Sequence, residues 1–177
     1  MVMRFGLALV PGLLILLAGC GGDSTRYPIA CPRPAILGEG ADMTRYRPGA
    51  GEDLVALETD AKLVQVRGGC GRGRNAILMQ LAVGFTVDRG PAYRGREVQL
   101  PWFVAVVDNR TQKVLSEQGF QDFIVFNPNE TRASGMSQSV DITLPVGDTT
   151  HAQDYTVYVS FRLNQEQLAL NRRRGVR

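Results

Sequence analysis

One histidine and three cysteines carry most of the chemistry open to this 177-residue chain. Nucleophilic hydrolysis needs a base held beside a serine or cysteine. His151 is the sole imidazole, and it sits in the loop Gly147-Asp148-Thr149-Thr150-His151, with Asp148 and Asp154 near enough in sequence to orient it. No serine stands in a nucleophile-elbow context, so a surface loop histidine is the simpler reading. A zinc site fails on the same shortage, because Cys31, Cys70 and His151 show no ligand spacing. Glycan cleavage needs two carboxylates facing each other across a cleft. Glu52, Asp53, Glu58, Asp60, Glu117 and Asp122 are available, and nothing in the sequence brings two of them together. The run Gly68-Gly69-Cys70-Gly71-Arg72-Gly73-Arg74 offers backbone N–H groups for an anion-binding nest. It lacks both the phosphate-loop pattern and a following helix, so a hairpin turn with two exposed arginines accounts for it better. Arg172-Arg173-Arg174 and Arg177 suit contact with anionic lipid or peptidoglycan, against the plainer reading of solvated charge. The sequence therefore assigns no catalytic residue, no metal ligand and no cofactor.

Cys20 is a different case. Met1 to Arg4 carry one positive charge, and Phe5 to Ala18 contain no charged residue at all. The apolar run is shorter than the ~20 residues of a permanent spanning helix, so an export signal over residues 1–19 is expected. Leu17-Ala18-Gly19-Cys20 resembles the bacterial lipobox, in which a small residue precedes a cysteine that receives a diacylglyceryl group before the signal is removed. That resemblance implies cleavage before Cys20 and a further acyl chain on the freed amine. Two acyl chains suffice for stable anchoring at about 0.8 kcal/mol per buried methylene. Gly21, rather than Asp, follows the cysteine; by the sorting rule of enterobacteria this implies an outer membrane, with the domain facing the periplasm.

With Cys20 given to lipid, Cys31 and Cys70 remain as a pair in an oxidising compartment, and a disulfide between them is expected. Closing the intervening chain is worth ~4 kcal/mol in the chain-entropy model. The formal charge of +3, lowered by one when Arg4 leaves with the signal, gives no argument for nucleic acid as a partner. Removing residues 1–19 leaves enough chain for one domain with a sizeable core and too little for two. Residues 20–30 read as a tether rich in small and polar residues, and 31–177 as a single domain.

The elements that must position these groups are strands. Cys31 to Leu37 suits a short edge strand, since its prolines cannot donate to a ladder; the rest of Gly21–Asp53 has no sustained period. Leu63 to Arg67 alternates and leads into the glycine-rich turn. Ile77, Met79, Leu81, Val83, Phe85 and Val87 form the cleanest period-two face. Pro101 to Val107 is apolar on both faces, which predicts a central, covered strand. After the turn Asp108-Asn109-Arg110-Thr111, Val114 to Phe126 predicts one bent strand or two short ones around Gly119. Val140, Ile142 and Leu144, then Tyr155, Val157, Val159, Phe161 and Leu163, supply two more. The sum is an all-β, antiparallel two-sheet β-sandwich, with an immunoglobulin-like arrangement as first choice. One short C-terminal helix is expected, with Asn164 as N-cap, Gln167 three residues on, and Leu168 and Leu170 packed on the sandwich.

The stretch Val159-Ser160-Phe161-Arg162-Leu163-Asn164-Gln165-Glu166-Gln167-Leu168-Ala169-Leu170-Asn171-Arg172 is similar to the closing motif of uncharacterised alphaproteobacterial envelope lipoproteins, a final strand running into a Glu-Gln-Leu-Ala turn of helix that ends in Asn-Arg. Arg89-Gly90-Pro91-Ala92, Leu100 to Asp108, the lipobox and the Cys31-Pro32 start resemble the same group. The resemblance implies a small envelope lipoprotein and brings no activity with it. The expected function is a non-catalytic binding or assembly module, held on the membrane through the N-terminal lipid and working with an envelope protein partner. Its rivals are an enzyme or enzyme subunit acting on peptidoglycan or another envelope polymer, and a carrier of a small apolar ligand.

Overall fold

The computed structural model describes residues 30–147 and 150–175. The export signal, Cys20 and all of the tether except Ala30 lie outside the described residues, as do Asp148 and Arg177. The described chain contains β1 (Pro34–Ile36), β2 (Asp42–Tyr46), β3 (Leu57–Arg72), β4 (Ala76–Arg89), β5 (Glu97–Asp108), β6 (Lys113–Val125), β7 (Arg132–Met136), β8 (Val140–Pro145), β9 (Tyr155–Phe161) and α1 (Gln165–Arg174). One sheet runs β1-β9-β5-β6. The other runs β2-β3-β4, with β7 and β8 lying in series along the far side of β4.

Alternation decides which side chains turn inward. Ile77, Met79, Leu81, Val83, Phe85 and Val87 of β4 are all buried, and so are Val98, Leu100, Trp102, Val104 and Val106 of β5 and Tyr155, Val157, Val159 and Phe161 of β9. With Ile142 and Leu144 of β8 they make one core between the two sheets. Phe85 spans it, its ring 6.1 Å from Trp102 and 6.0 Å from Phe161. A buried indole N–H needs an acceptor, and Trp102 Nε1 donates to Asp122 of β6 at 2.7 Å.

The fold departs from the sequence reading in four places. Not every ladder is antiparallel: β1 runs parallel to β9, pairing Pro34 with Val157 and Ile36 with Val159. The glycine-rich run is strand and not turn, because Gly68 to Arg72 pair with Leu81 to Ile77 and the hairpin closes later, where Gly73 N–H donates to the carbonyl of Ala76 at 2.8 Å. A ladder with a strongly apolar partner strand outweighs the weak strand propensity of glycine. β2 was missed, since its Asp-Met-Thr-Arg-Tyr sequence buries Asp42, Met43 and Thr44 in succession and so shows no period. β5 is central as expected, between β9 and β6, but among the described residues no further layer covers its outer face, where the Arg162 guanidinium lies 5.3 Å over the Phe103 ring. At the break between β7 and β8 the Ser137 hydroxyl accepts the Val83 N–H at 2.9 Å, filling the gap in the β4 ladder with a side chain.

Candidate functional site

Several of the described groups that could do chemistry are engaged in structure. Cys31 and Cys70 form a disulfide with a Cα–Cα distance of 5.6 Å, tying the segment before β1 to the end of β3. His151 opens the single turn that precedes β9, where its backbone N–H donates to Asp154 Oδ2 at 2.7 Å. Its ring Nδ1 lies 3.8 Å from the same oxygen and is largely exposed. The glycine-rich run is not free to form an anion nest, because the backbone of Gly68 to Arg72 belongs to the β3–β4 ladder.

The candidate carboxylates are scattered. Glu52 pairs with Arg173 at 2.5 Å, Asp60 accepts from the Thr44 hydroxyl at 2.7 Å, and Glu117 pairs with Arg162 at 2.6 Å. Asp122 is held by Trp102, and Asp53 lies next to the short turn Leu54–Ala56. Glu58 and Glu166 line a cleft beside α1, described next. Among the described residues no group of three or more His, Cys, Asp or Glu side chains is placed to hold a metal ion.

That cleft, about 840 Å³, lies between β2, the loop that follows it, and α1. Its wall is built by the helix. Asn164 Oδ1 accepts the Gln167 N–H at 2.8 Å while Gln167 Oε1 accepts the Asn164 N–H at 3.0 Å, the reciprocal cap expected of the sequence. Leu170 is buried and Leu168 half-buried. The three C-terminal arginines are not simply solvated. Arg172 pairs with Glu39 at 3.0 Å, Arg173 with Glu52, and Arg174 donates to Thr44 Oγ1 at 3.1 Å and to the Tyr46 hydroxyl at 2.5 Å. Basic side chains in a last helical turn also suit the helix dipole.

Asn171 is the residue that sequence reasoning overlooked. It is 7 % exposed, and its Nδ2 donates to the carbonyls of Glu39 at 2.8 Å and Asp42 at 2.7 Å. The available signal was an asparagine inside a helix, where it is disfavoured unless its amide is used elsewhere. Asn171→Ala should remove both hydrogen bonds and cost about 2 kcal/mol. Thermal unfolding should show a lowered Tm together with faster amide exchange in α1, whereas an unchanged Tm would mean that the helix docks by other means.

The second surface is β6. It forms the edge of its sheet beyond β5, thirteen residues long. The other edges are shorter: β1 has three residues, β2 five, and β7 and β8 five and six. Ten large apolar side chains are exposed among the described residues, and Val114, Leu115, Phe123 and Val125 of this one strand are four of them. Gly119 keeps the middle of the strand bare, since a Cβ there would meet Arg162 Nη2 at 3.2 Å. Arg162 thereby passes over Phe103 of β5 and beside Gly119 to reach Glu117 of β6.

These features define a disulfide-bonded, two-sheet β domain closed by a C-terminal helix, with a polar cleft beside the helix and one long, partly apolar sheet edge. No protein-family model, curated protein or solved structure matches the chain.

Proposed function

We propose that this protein is a bacterial envelope lipoprotein, anchored on a membrane through acylated Cys20, whose sandwich is a non-catalytic binding or assembly module for an envelope protein. Kinship with the alphaproteobacterial lipoproteins named above, and placement on the outer membrane facing the periplasm, belong to the same proposal. The observation that carries it is β6. An edge strand presents a row of unpaired backbone N–H and C=O groups, and natural edges are kept short or charged to prevent promiscuous pairing. A long edge with exposed Phe123 and Val125 is suited to receive an extended segment of a partner, main-chain hydrogen bonds giving affinity and alternate side chains giving selectivity. The role of the cysteines, His151 and most of the carboxylates in holding structure supports the same reading. An immunoglobulin-like arrangement of the two sheets, of four and five strands, belongs to the same proposal.

The polar cleft, with Glu58 and Glu166 among arginines, favours the rival reading of an enzyme acting on an envelope polymer. Complementation of a deletion strain separates the two. Phe123→Lys with Val125→Lys alters side chains that are half-exposed, so the fold should persist while partner binding falls by about thirtyfold, the scale of one lost hot spot. Glu58→Gln with Glu166→Gln should complement fully. The reverse pattern, in which folded and correctly localised cleft variants fail and edge variants succeed, would transfer the function to the cleft.

A further inference from the structure

We infer that the end of the sandwich from which the N-terminal segment emerges is a membrane-contact surface, where Arg72, Arg74 and their neighbours take the phosphates of an anionic phospholipid bilayer. The inference rests on the proposed acylation of Cys20. Two segments far apart in sequence, the glycine-rich run and the histidine loop, meet at this end. Arg72, Arg74, Thr150 and His151 line one cleft of about 360 Å³, and Ala30, the first described residue, lines it with them. The Cys31–Cys70 bond pins that entry point to the end of β3.

Chain length then limits where this surface can be. Even fully extended, the backbone from Cys20 to Ala30 spans no more than about 35 Å. The sixteen residues of β3 run about 50 Å from this end to the other. An acyl group on Cys20 therefore lets Arg72 and Arg74 reach the lipid surface and limits how far from it they can lie, while α1 is farther off unless the domain turns over.

Charge opposes that turning. The Asn109 N–H donates to the Asp154 carbonyl at 2.8 Å, which brings the β5–β6 hairpin, with Arg110 and Lys113, to the same end. Its acids are occupied. Asp108 Oδ1 accepts the backbone N–H groups of Thr111 at 3.1 Å and Arg110 at 2.7 Å, bonds that hold its carboxyl below the usual carboxylate range. Asp154 caps the His151 turn. Among the described charges near this end, the cations Arg33, Arg72, Arg74, Arg110 and Lys113 outnumber the carboxylates Asp108 and Asp154, with Arg110 paired to Asp108 at 4.0 Å. Among the described residues neither Arg72 nor Arg74 takes part in an ion pair, whereas at the helix end Arg172 and Arg173 are matched by Glu39 and Glu52. Guanidinium groups bind phosphate oxygens in bidentate fashion, and the attraction of an anionic leaflet acts only within about a Debye length, so the end nearest the anchor feels it most.

The test uses the full acylated chain, incorporated into vesicles of phosphatidylcholine alone or of phosphatidylcholine mixed with phosphatidylglycerol, with hydrogen exchange as the readout. Amides of residues 72–76 and 150–153 should exchange more slowly on the mixed vesicles, by about fivefold for each arginine engaged. High salt should remove the protection. Arg72→Glu with Arg74→Glu should float with both vesicles yet show no protection. Equal exchange on the two vesicles, or protection that survives in the double variant, would overturn the inference while leaving the anchor intact. Failure of the native chain to float with either vesicle would instead refute the acylation of Cys20, and the membrane-contact surface with it.

Discussion

Replacing Cys31 and Cys70 together by serine should lower the unfolding free energy by about 4 kcal/mol, the chain-entropy value for the 39-residue separation they close. Single domains are typically stable by only 5–15 kcal/mol, so the loss removes a large share of the total. The bond also has a local task. β1 contributes three residues to a parallel edge, and beyond it the Leu37 N–H still donates to the Val159 carbonyl at 2.9 Å. So short a strand has little to hold it once the covalent tie to β3 is gone. Denaturant unfolding of the double variant, compared with native protein under oxidising and reducing conditions, measures the cost. Hydrogen exchange at Ala35 to Leu37 should rise before the rest of the domain opens. A change under about 1 kcal/mol would show that the unfolded state gains little freedom from the open loop.

Cys20→Ser should abolish processing as a lipoprotein. Acyl chains at about 0.8 kcal/mol per buried methylene dominate every other contact this chain offers a bilayer. The arginines proposed to face the membrane would contribute only about 1 kcal/mol each, too little to retain the domain unaided. Labelling with a fatty acid in growing cells should mark the native protein only, and the serine variant should keep its uncleaved export signal. Equal labelling of both proteins would end the lipoprotein reading.

Local patterns are legible wherever a single interaction writes them. Ile77 to Val87 announces one buried face because side chains alternate along any strand, and the structure buries all six of those apolar residues. Asn164 and Gln167 announce a helix start because a capping box spans only four residues. Pairing of Cys31 with Cys70 was legible as well, because assigning the third cysteine to lipid left one choice. The β6 edge was half legible. Val114 to Phe126 reads as strand, but that its apolar side chains stay exposed depends on β5 pairing one side while no described strand pairs the other.

By itself, then, the sequence determined the β class, the most regular strands, the terminal helix and the disulfide, each of which is specified within a few residues or by counting. Only the tertiary structure decided the order of strands, the parallel β1–β9 pair, the extension of β3 through its glycines, and the use of Arg172, Arg173 and Arg174 as struts. The physical reason is common to them. Period-two alternation reports which face of a strand is buried and says nothing of which strand lies beside it, while ladder bonds and ion pairs join residues far apart in the chain. Gly68 and Gly69 are strand because Leu81 and Gln80 lie opposite them, and Arg173 is bound because folding places Glu52 within its reach.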